Sequence, residues 1–356
     1  MPNTKIKVLY TIPNFKTAGS QYVVLSLFKH IDTSKFEPYV AVEKFPELKP
    51  EIIPEENFLY LPKSGNNFTD LKQIIRILKK KQIKIVHSWD YKSTSIEALG
   101  VRLAGCKYLY TKKNDAWSKR WLLKSLISTH IAYDHPEMKT KFFNTFYLRR
   151  KISFIPHGVD EKHFHKEKLS QSKNDEIVRL GCVGNINANK NQLFIIKNMK
   201  SLPDHIHLYL YGKADENYLA DIKAYLSQYQ LSNRVHLEGF VANNDLPAIL
   251  NQLDVFLLAS KKEGLPVSIL EALACETPVL ASDSGGGTAY IASEGDGVLI
   301  FETDNDREFL DGISKLYKDE ALRNGLGKEG RVLVEKKFTL KMELNTYEKL
   351  YQKLVY

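Results

Sequence analysis

Two carboxylates, Glu263 and Glu271, stand eight residues apart in KKEGLPVSILEALACETPVLAS, flanking an apolar run. Pro266 suits the first turn of a helix, where its missing N–H costs nothing, so EGLP reads as a loop and VSILEALAC as the helix it opens. At about 3.6 residues per turn, an offset of eight does not return to the same face, which argues against a carboxylate dyad or a shared metal. The two acids therefore have separate work. A helix that follows the strand VFLLAS presents unpaired N–H groups and the positive end of its dipole, which suits a phosphate. A carboxylate at each end of that site can accept hydrogen bonds from sugar hydroxyls, which a diphosphate carrying two sugars would supply. Lys190 follows GCVGN, a strand and glycine turn that a phosphate can approach.

The elements that must position these residues are β-branched apolar runs alternating with helical patterns. KIKVLYTI reads as a strand, GSQYVVLSLFKHI as a helix, EPYVAV as a strand, TDLKQIIRILKKKQ as a helix opened by a Thr69/Asp70 cap, and IKIVHSW as a strand. The rhythm restarts after about residue 155 with EIVRLGCVG and continues through IHLYLYG, RVHLEGF, VFLLAS, PVLAS and GVLIF. Two successive parallel-sheet α/β domains account for this pattern, and KLSQSKNDE reads as the polar linker. A chain of 356 residues suits two such domains.

Composition narrows the function classes. Cys106, Cys182 and Cys275 are scattered and set in apolar surroundings, which argues for a reducing cytoplasm and against a disulfide framework or CxxC metal site. MPNTKIKVLYTIPNF reads as a first strand, not a signal peptide, and no apolar stretch is long enough for a membrane span. Residues 1–155 carry 27 Lys and Arg against 13 Asp and Glu, whereas the remainder carries 24 against 29. A basic first half points to an anionic partner. Within it, TKKNDAWSKRWLLKSLI mixes Lys112, Lys113, Lys119, Arg120 and Lys124 with Trp117, Trp121 and Leu122, the make-up of a peripheral contact with anionic lipid. A nucleic-acid reading of the same charge has no motif behind it. His157, Asp160, His163 and His165 gather in HGVDEKHFH, but their spacing fits no usual zinc pattern. DSGGGTAY lacks the GxGxxG spacing of a nicotinamide site.

EGLPVSILEALA resembles the Glu-x7-Glu motif of glycosyltransferase family 4, retaining enzymes of the GT-B fold that use nucleotide-diphosphate sugars. The resemblance spans nearly the whole chain. TAGSQYVVLSLFKHIDTSKFEPYVAV is similar to the family's N-terminal loop and helix, IKIVHSW to its strand ending in His, ISFIPHGVD to its Ile-Pro-Asn-Gly-Val-Asp crossing, and VGNINANKNQ to its phosphate-binding stretch. It implies two Rossmann-like domains facing across a deep cleft. Residues 1–160 would take the acceptor, residues 161–337 the donor, and the helix 338–356 would pack back on the first domain. Catalytic roles would fall to His87, approaching the donor sugar, to Lys190 on the diphosphate and to Glu263 beside the transferred sugar. Donor binding would involve Ala18, Gly19, Gly184, Asn185, Gly264, Leu265, Pro266, the amides of Val267 and Ser268, and Glu271 on the ribose hydroxyls.

No metal or other cofactor is implied, because a cation and a helix dipole supply the positive charge. The implied partners are a nucleotide sugar, a glycan or lipid-linked acceptor and an anionic membrane surface, with the protein in the cytoplasm or at the inner face of the membrane. The chain departs from the family at Asn185, where Arg is usual, with Lys261 or Lys262 as a nearby substitute. It departs also at Ala18 (Gly), His157 (Asn), Glu276 (Gly) and Ala289 (Glu). The competing readings are a nucleotide-sugar 2-epimerase of the same fold and a non-catalytic scaffold.

Overall fold

The computed structural model describes residues 5–15, 19–43, 50–61, 63–89, 95–167 and 177–356, so Ala18 and the polar stretch 168–176 read as a linker lie outside the described residues. The chain divides into two compact units, residues 1–156 with 341–356, and residues 157–340.

The first unit runs β1 (Ile6–Ile12), α1 (Gly19–His30), β2 (Phe36–Val42), β3 (Phe58–Tyr60), α2 (Asn67–Lys81), β4 (Ile85–Ser88), α3 (Ser95–Leu103), β5 (Lys107–Lys112), α4 (Lys119–Ile127), β6 (His130–Tyr133), α5 (Glu137–Phe142), α6 (Phe146–Arg149) and β7 (Ile152–Phe154). Its strands form one parallel sheet in the order β3-β2-β1-β4-β5-β6-β7. Helices cover the sheet, so strands such as β1 and β4 are buried along almost their whole length and read as apolar runs. The second unit runs β8 (Val178–Val183), α7 (Gln192–Asn198), β9 (Ile206–Tyr211), α8 (Glu216–Gln228), β10 (Val235–Gly239), α9 (Leu246–Gln252), β11 (Val255–Leu258), α10 (Val267–Ala274), β12 (Val279–Ser282), α11 (Gly287–Ser293), β13 (Val298–Phe301), α12 (Asp306–Lys318) and α13 (Glu320–Lys337). Its six parallel strands are ordered β10-β9-β8-β11-β12-β13. The fold is that of two Rossmann-like α/β domains. Strand order reverses at β1/β4 in one sheet and at β8/β11 in the other, the places where such sheets bind ligands at their carboxyl ends.

Local chemistry corrects one helix start. α2 begins at Asn67, and Asn66 caps it by accepting from the amides of Phe68 and Thr69. Asp70, read from sequence as part of the cap, instead accepts from the amide and hydroxyl of Ser64. The glycine of the HGVD stretch has a steric reason. A Cβ on Gly158 would sit 2.2 Å from the carbonyl oxygen of Thr339, where Val159 bridges that residue.

The final helix, α14 (Leu340–Val355), brings Tyr347 and Tyr351 into the first unit. His87 is fully buried there. Its Nδ1 lies 2.7 Å from the Tyr351 hydroxyl and its Nε2 2.7 Å from Thr111 Oγ1, which in turn meets the Tyr347 hydroxyl at 2.9 Å. The expected contact of His87 with a donor sugar is therefore corrected. With both ring nitrogens engaged inside the fold, the side chain is a structural cross-link between β4, β5 and α14.

The segment 112–124 is corrected as well. Lys112, Trp121 and Lys124 are buried rather than available to lipid. Lys112 donates to Asn114 Oδ1 and the Ala116 carbonyl and lies over the Trp121 ring, and burial lowers its pKa to about 7 against the opposing influence of Asp134 and Asp115. Lys124 lies over the rings of Tyr110 and Trp121. α4 is thus turned inside out, with Lys124 inward and Leu122, Leu123 and Leu126 exposed.

Candidate active site

At the reversal point of the second sheet, β8 delivers Gly184 and Asn185 and β11 delivers the loop 259–266. Gly184 has φ +141°, and its backbone is pressed by Gly212, where a Cβ would stand 1.9 Å from the Gly184 carbonyl oxygen. Only glycine allows this approach and leaves the turn open. The two loops are laced together. The Lys261 amide donates to the Asn189 carbonyl at 2.8 Å, and Asn189 Nδ2 donates to the Lys262 carbonyl at 3.0 Å. Asn187 Oδ1 accepts from the Lys190 amide. These bonds aim Lys190 across the gap, where its Nζ donates to Glu263 Oε1 at 2.6 Å.

The helix α10 opens after Pro266, as its sequence implies, and no side chain caps its first turn. Its leading amides, at Val267 and Ser268, therefore lack intrahelical acceptors. Gly264 and Leu265 are held close to the start of α11, because a Cβ on Gly287 would lie 2.0 Å from the Gly264 carbonyl oxygen. Lys190, Glu263 and an uncapped helix N-terminus thus converge on one spot, and what they can hold is an anion with hydroxyl groups beside it. The Lys190–Glu263 pair keeps partial contact with solvent, so it is worth about 1 kcal/mol or less. Charge-assisted bonds to a phosphate, at about 1.5–3 kcal/mol each, are enough to draw Lys190 away from it.

Glu271 lies further along α10 and makes a side-chain hydrogen bond with Asn243, while burial pushes its carboxyl up to about 7. Asn185 is exposed, and its carbonyl accepts from Gln192 Nε2. Of the two lysines proposed as substitutes for Arg, Lys261 lies 3.7 Å from Asp304 and Lys262 is exposed. Gly19 begins α1 in the other unit. Among the described residues no group of His, Cys, Asp and Glu side chains clusters as a metal site, and Asp160 of the HGVD stretch accepts from the amides of Lys162 and His163.

Sequence reasoning missed two residues. Asn243 anchors Glu271 from a short turn before α9. Ser260 is fully buried just past β11, and its hydroxyl has no hydrogen-bond partner among the described residues. The signal for Ser260 is present in the sequence, since it closes the VFLLAS run that leads to Glu263; Asn243 gives none.

Residues 162–333 match the family model described as glycosyl transferases group 1. The chain is 26% identical to the UDP-Gal:alpha-D-GlcNAc-diphosphoundecaprenol alpha-1,3-galactosyltransferase of Escherichia coli, over 99% of this chain and 98% of that one. It is 27% identical to the N,N'-diacetylbacillosaminyl-diphospho-undecaprenol alpha-1,3-N-acetylgalactosaminyltransferase of Campylobacter jejuni, over 74% and 77%. The structure of HepE from Anabaena in complex with UDP and glucose superposes with a TM-score of 0.81 at 16% identity, covering 97% of this chain and 99% of that chain, a likeness of fold. The chain carries a group 1 glycosyltransferase domain, and its activity is that of a glycosyltransferase.

Proposed function

We propose that the protein is a retaining glycosyltransferase that moves a hexose from a nucleoside-diphosphate sugar, held by residues 157–340, to a glycan or lipid-linked acceptor in cell-surface polysaccharide assembly. The observation that carries this reading is the Lys190–Glu263 pair at 2.6 Å before the uncapped start of α10. A donor's diphosphate takes Lys190 and the amides of Val267 and Ser268, Glu263 turns to the hydroxyls of the sugar being moved, and Glu271 receives those of the ribose. As the bond from the anomeric carbon to the phosphate oxygen breaks, negative charge grows on the diphosphate, and the Lys190 ammonium and helix amides stabilise it without a metal. The acceptor hydroxyl attacks from the face the leaving group has just left, so the configuration is retained. UDP-sugars are the first donors to try, because the E. coli relative matched along its whole length is named for UDP-Gal. The test is product analysis with UDP-sugars, a sugar-diphospho-prenyl acceptor and a chelator. An α-linked product from an α-linked donor supports the reading; a β-linked product, or a 2-epimerised sugar with no acceptor present, contradicts it.

With a lipid-linked acceptor the enzyme would work at the inner face of the membrane, and we propose the outward face of α4 as the surface that meets it. Leu126 there is 50% exposed, and α4 packs between α3, which exposes Leu103, and α6, which exposes Phe146 and Tyr147. Arg102, Lys119, Arg120, Arg149 and Arg150 are exposed on the same three helices or beside them. Apolar side chains among cations are what an anionic bilayer surface takes up, and no described helix is long and apolar enough to cross it. Leu123→Glu with Leu126→Glu is expected to abolish sedimentation with phosphatidylglycerol vesicles; unchanged sedimentation contradicts this assignment.

A further inference from the structure

A cavity of about 260 Å³ lies inside the first unit, between the sheet and the helices α2 and α3. Leu9, Val42, Ile74, Leu78 and Val86 supply its floor and walls. It reaches the carboxyl ends of β1 and β2 and touches Val86 of β4, beside the place where strand order reverses and where such sheets take ligands. Protein interiors are otherwise close-packed, so a hollow of this size is not a packing accident. One polar group is left over in it. Thr11, 7% exposed and part of the lining, has a hydroxyl with no hydrogen-bond partner among the described residues.

The rim decides the ligand's charge. Among the described residues, Glu43, Asp70 and Glu97 line the cavity with one cation, Lys63, which is paired with Glu43. Asp70 is anchored by Ser64, and Glu97 by the hydroxyls of Ser88 and Tyr108 at 3.0 Å. An excess of carboxylates repels a diphosphate or any other anionic head, and carboxylates are good acceptors for hydroxyl groups. An apolar floor, one free hydroxyl and an acidic rim suit a neutral sugar that carries an apolar substituent.

We propose that this cavity binds the terminal sugar of the acceptor through an N-acyl methyl group, with Thr11 Oγ1 donating to the acyl carbonyl and the rim carboxylates receiving ring hydroxyls. The inference rests on the transferase reading above for its identification of the ligand as acceptor, whereas binding itself can be measured without turnover.

The experiment is saturation-transfer NMR on the full chain with methyl 2-acetamido-2-deoxy-α-glucopyranoside, methyl α-glucopyranoside and farnesyl diphosphate as separate probes. The acetamido sugar is expected to bind about tenfold or more tighter than the plain sugar, the worth of one buried methyl group, with its strongest saturation at the acetyl methyl. Thr11→Val should weaken it, and Ile74→Phe, which fills the hollow from α2, should abolish the methyl signal. Both variants should keep the rise in melting temperature that UDP gives. Equal binding of the two sugars, no binding in the tens of millimolar, an unchanged signal in Ile74→Phe, or preference for farnesyl diphosphate each overturns the proposal. Loss of the UDP response in wild-type protein instead counts against the donor reading and leaves the sugar result to be judged by itself.

Discussion

The two sheets reverse their strand order at equivalent points and fill those points with opposite chemistry. In residues 157–340 the point is lined by glycine backbone, a lysine, a carboxylate and bare helix amides. In the first unit, β4 at the corresponding point carries His87, locked between Thr111 and Tyr351, beside a cavity walled by leucine, isoleucine and valine. One Rossmann-like plan thus gives a polar place that can hold an anion where chain turns are glycine-rich and uncapped, and a mostly apolar hollow where aliphatic side chains line the space. Strand order fixes where a ligand goes; the side chains at the strand ends fix which ligand.

The sharpest way to break this contrast is Lys190→Ala. Removing the cation proposed to stabilise the leaving group should lower kcat by about 10²–10³, read from initial rates with saturating donor. His87→Ala should do the reverse of what a sugar contact implies. It removes the imidazole partner shared by the Tyr351 and Thr111 hydroxyls and should cost about 3 kcal/mol of stability in urea unfolding, with donor affinity unchanged. A loss of donor affinity without loss of stability would restore His87 to the site.

Glu271 offers a pH test confined to the second unit. Its carboxyl, ordinarily near 4.5, is raised by burial to about 7, so the carboxylate proposed to receive the ribose hydroxyls dominates only above that pH. Donor affinity should therefore fall as pH drops through about 7, by up to about tenfold per unit, and Glu271→Gln should flatten the profile. Stability runs the other way. The raised folded-state pKa means that Glu271 favours the folded state fully below about 4.5 and loses that contribution as pH rises through about 7. The smallest effect concerns Glu276, which holds φ +57° just past α10, where the resembling family commonly has Gly. Glu276→Gly should relieve the left-handed strain and raise stability by about 0.5–1 kcal/mol, visible as a melting-temperature increase of a few degrees.

Much of this was legible in the sequence. The β-branched runs gave both sheets, and the opening of α10 followed from Pro266 alone, because local chemistry decides a helix start there. The cap of α2 is ambiguous in the sequence because Asn66, Thr69 and Asp70 are all competent caps, and the loop before the helix, through Ser64, takes Asp70. His87 was misread because its partner Tyr351 is 264 residues away, beyond any periodicity. Lys112 and Lys124 were counted as surface charge because nothing in a one-dimensional pattern shows that aromatic rings enclose them. A cavity has no sequence signature, since it is the absence of atoms between side chains that each look like ordinary core.

The most direct test of the account is calorimetric titration of the metal-free protein with UDP, GDP and ADP, repeated on Lys190→Ala. One nucleoside diphosphate is expected to bind wild-type protein in chelator, with its affinity lost in the variant while the variant melts normally. Failure of all three to bind, or unchanged binding to Lys190→Ala, would contradict the assignment of the Lys190, Glu263 and α10 constellation as the donor site.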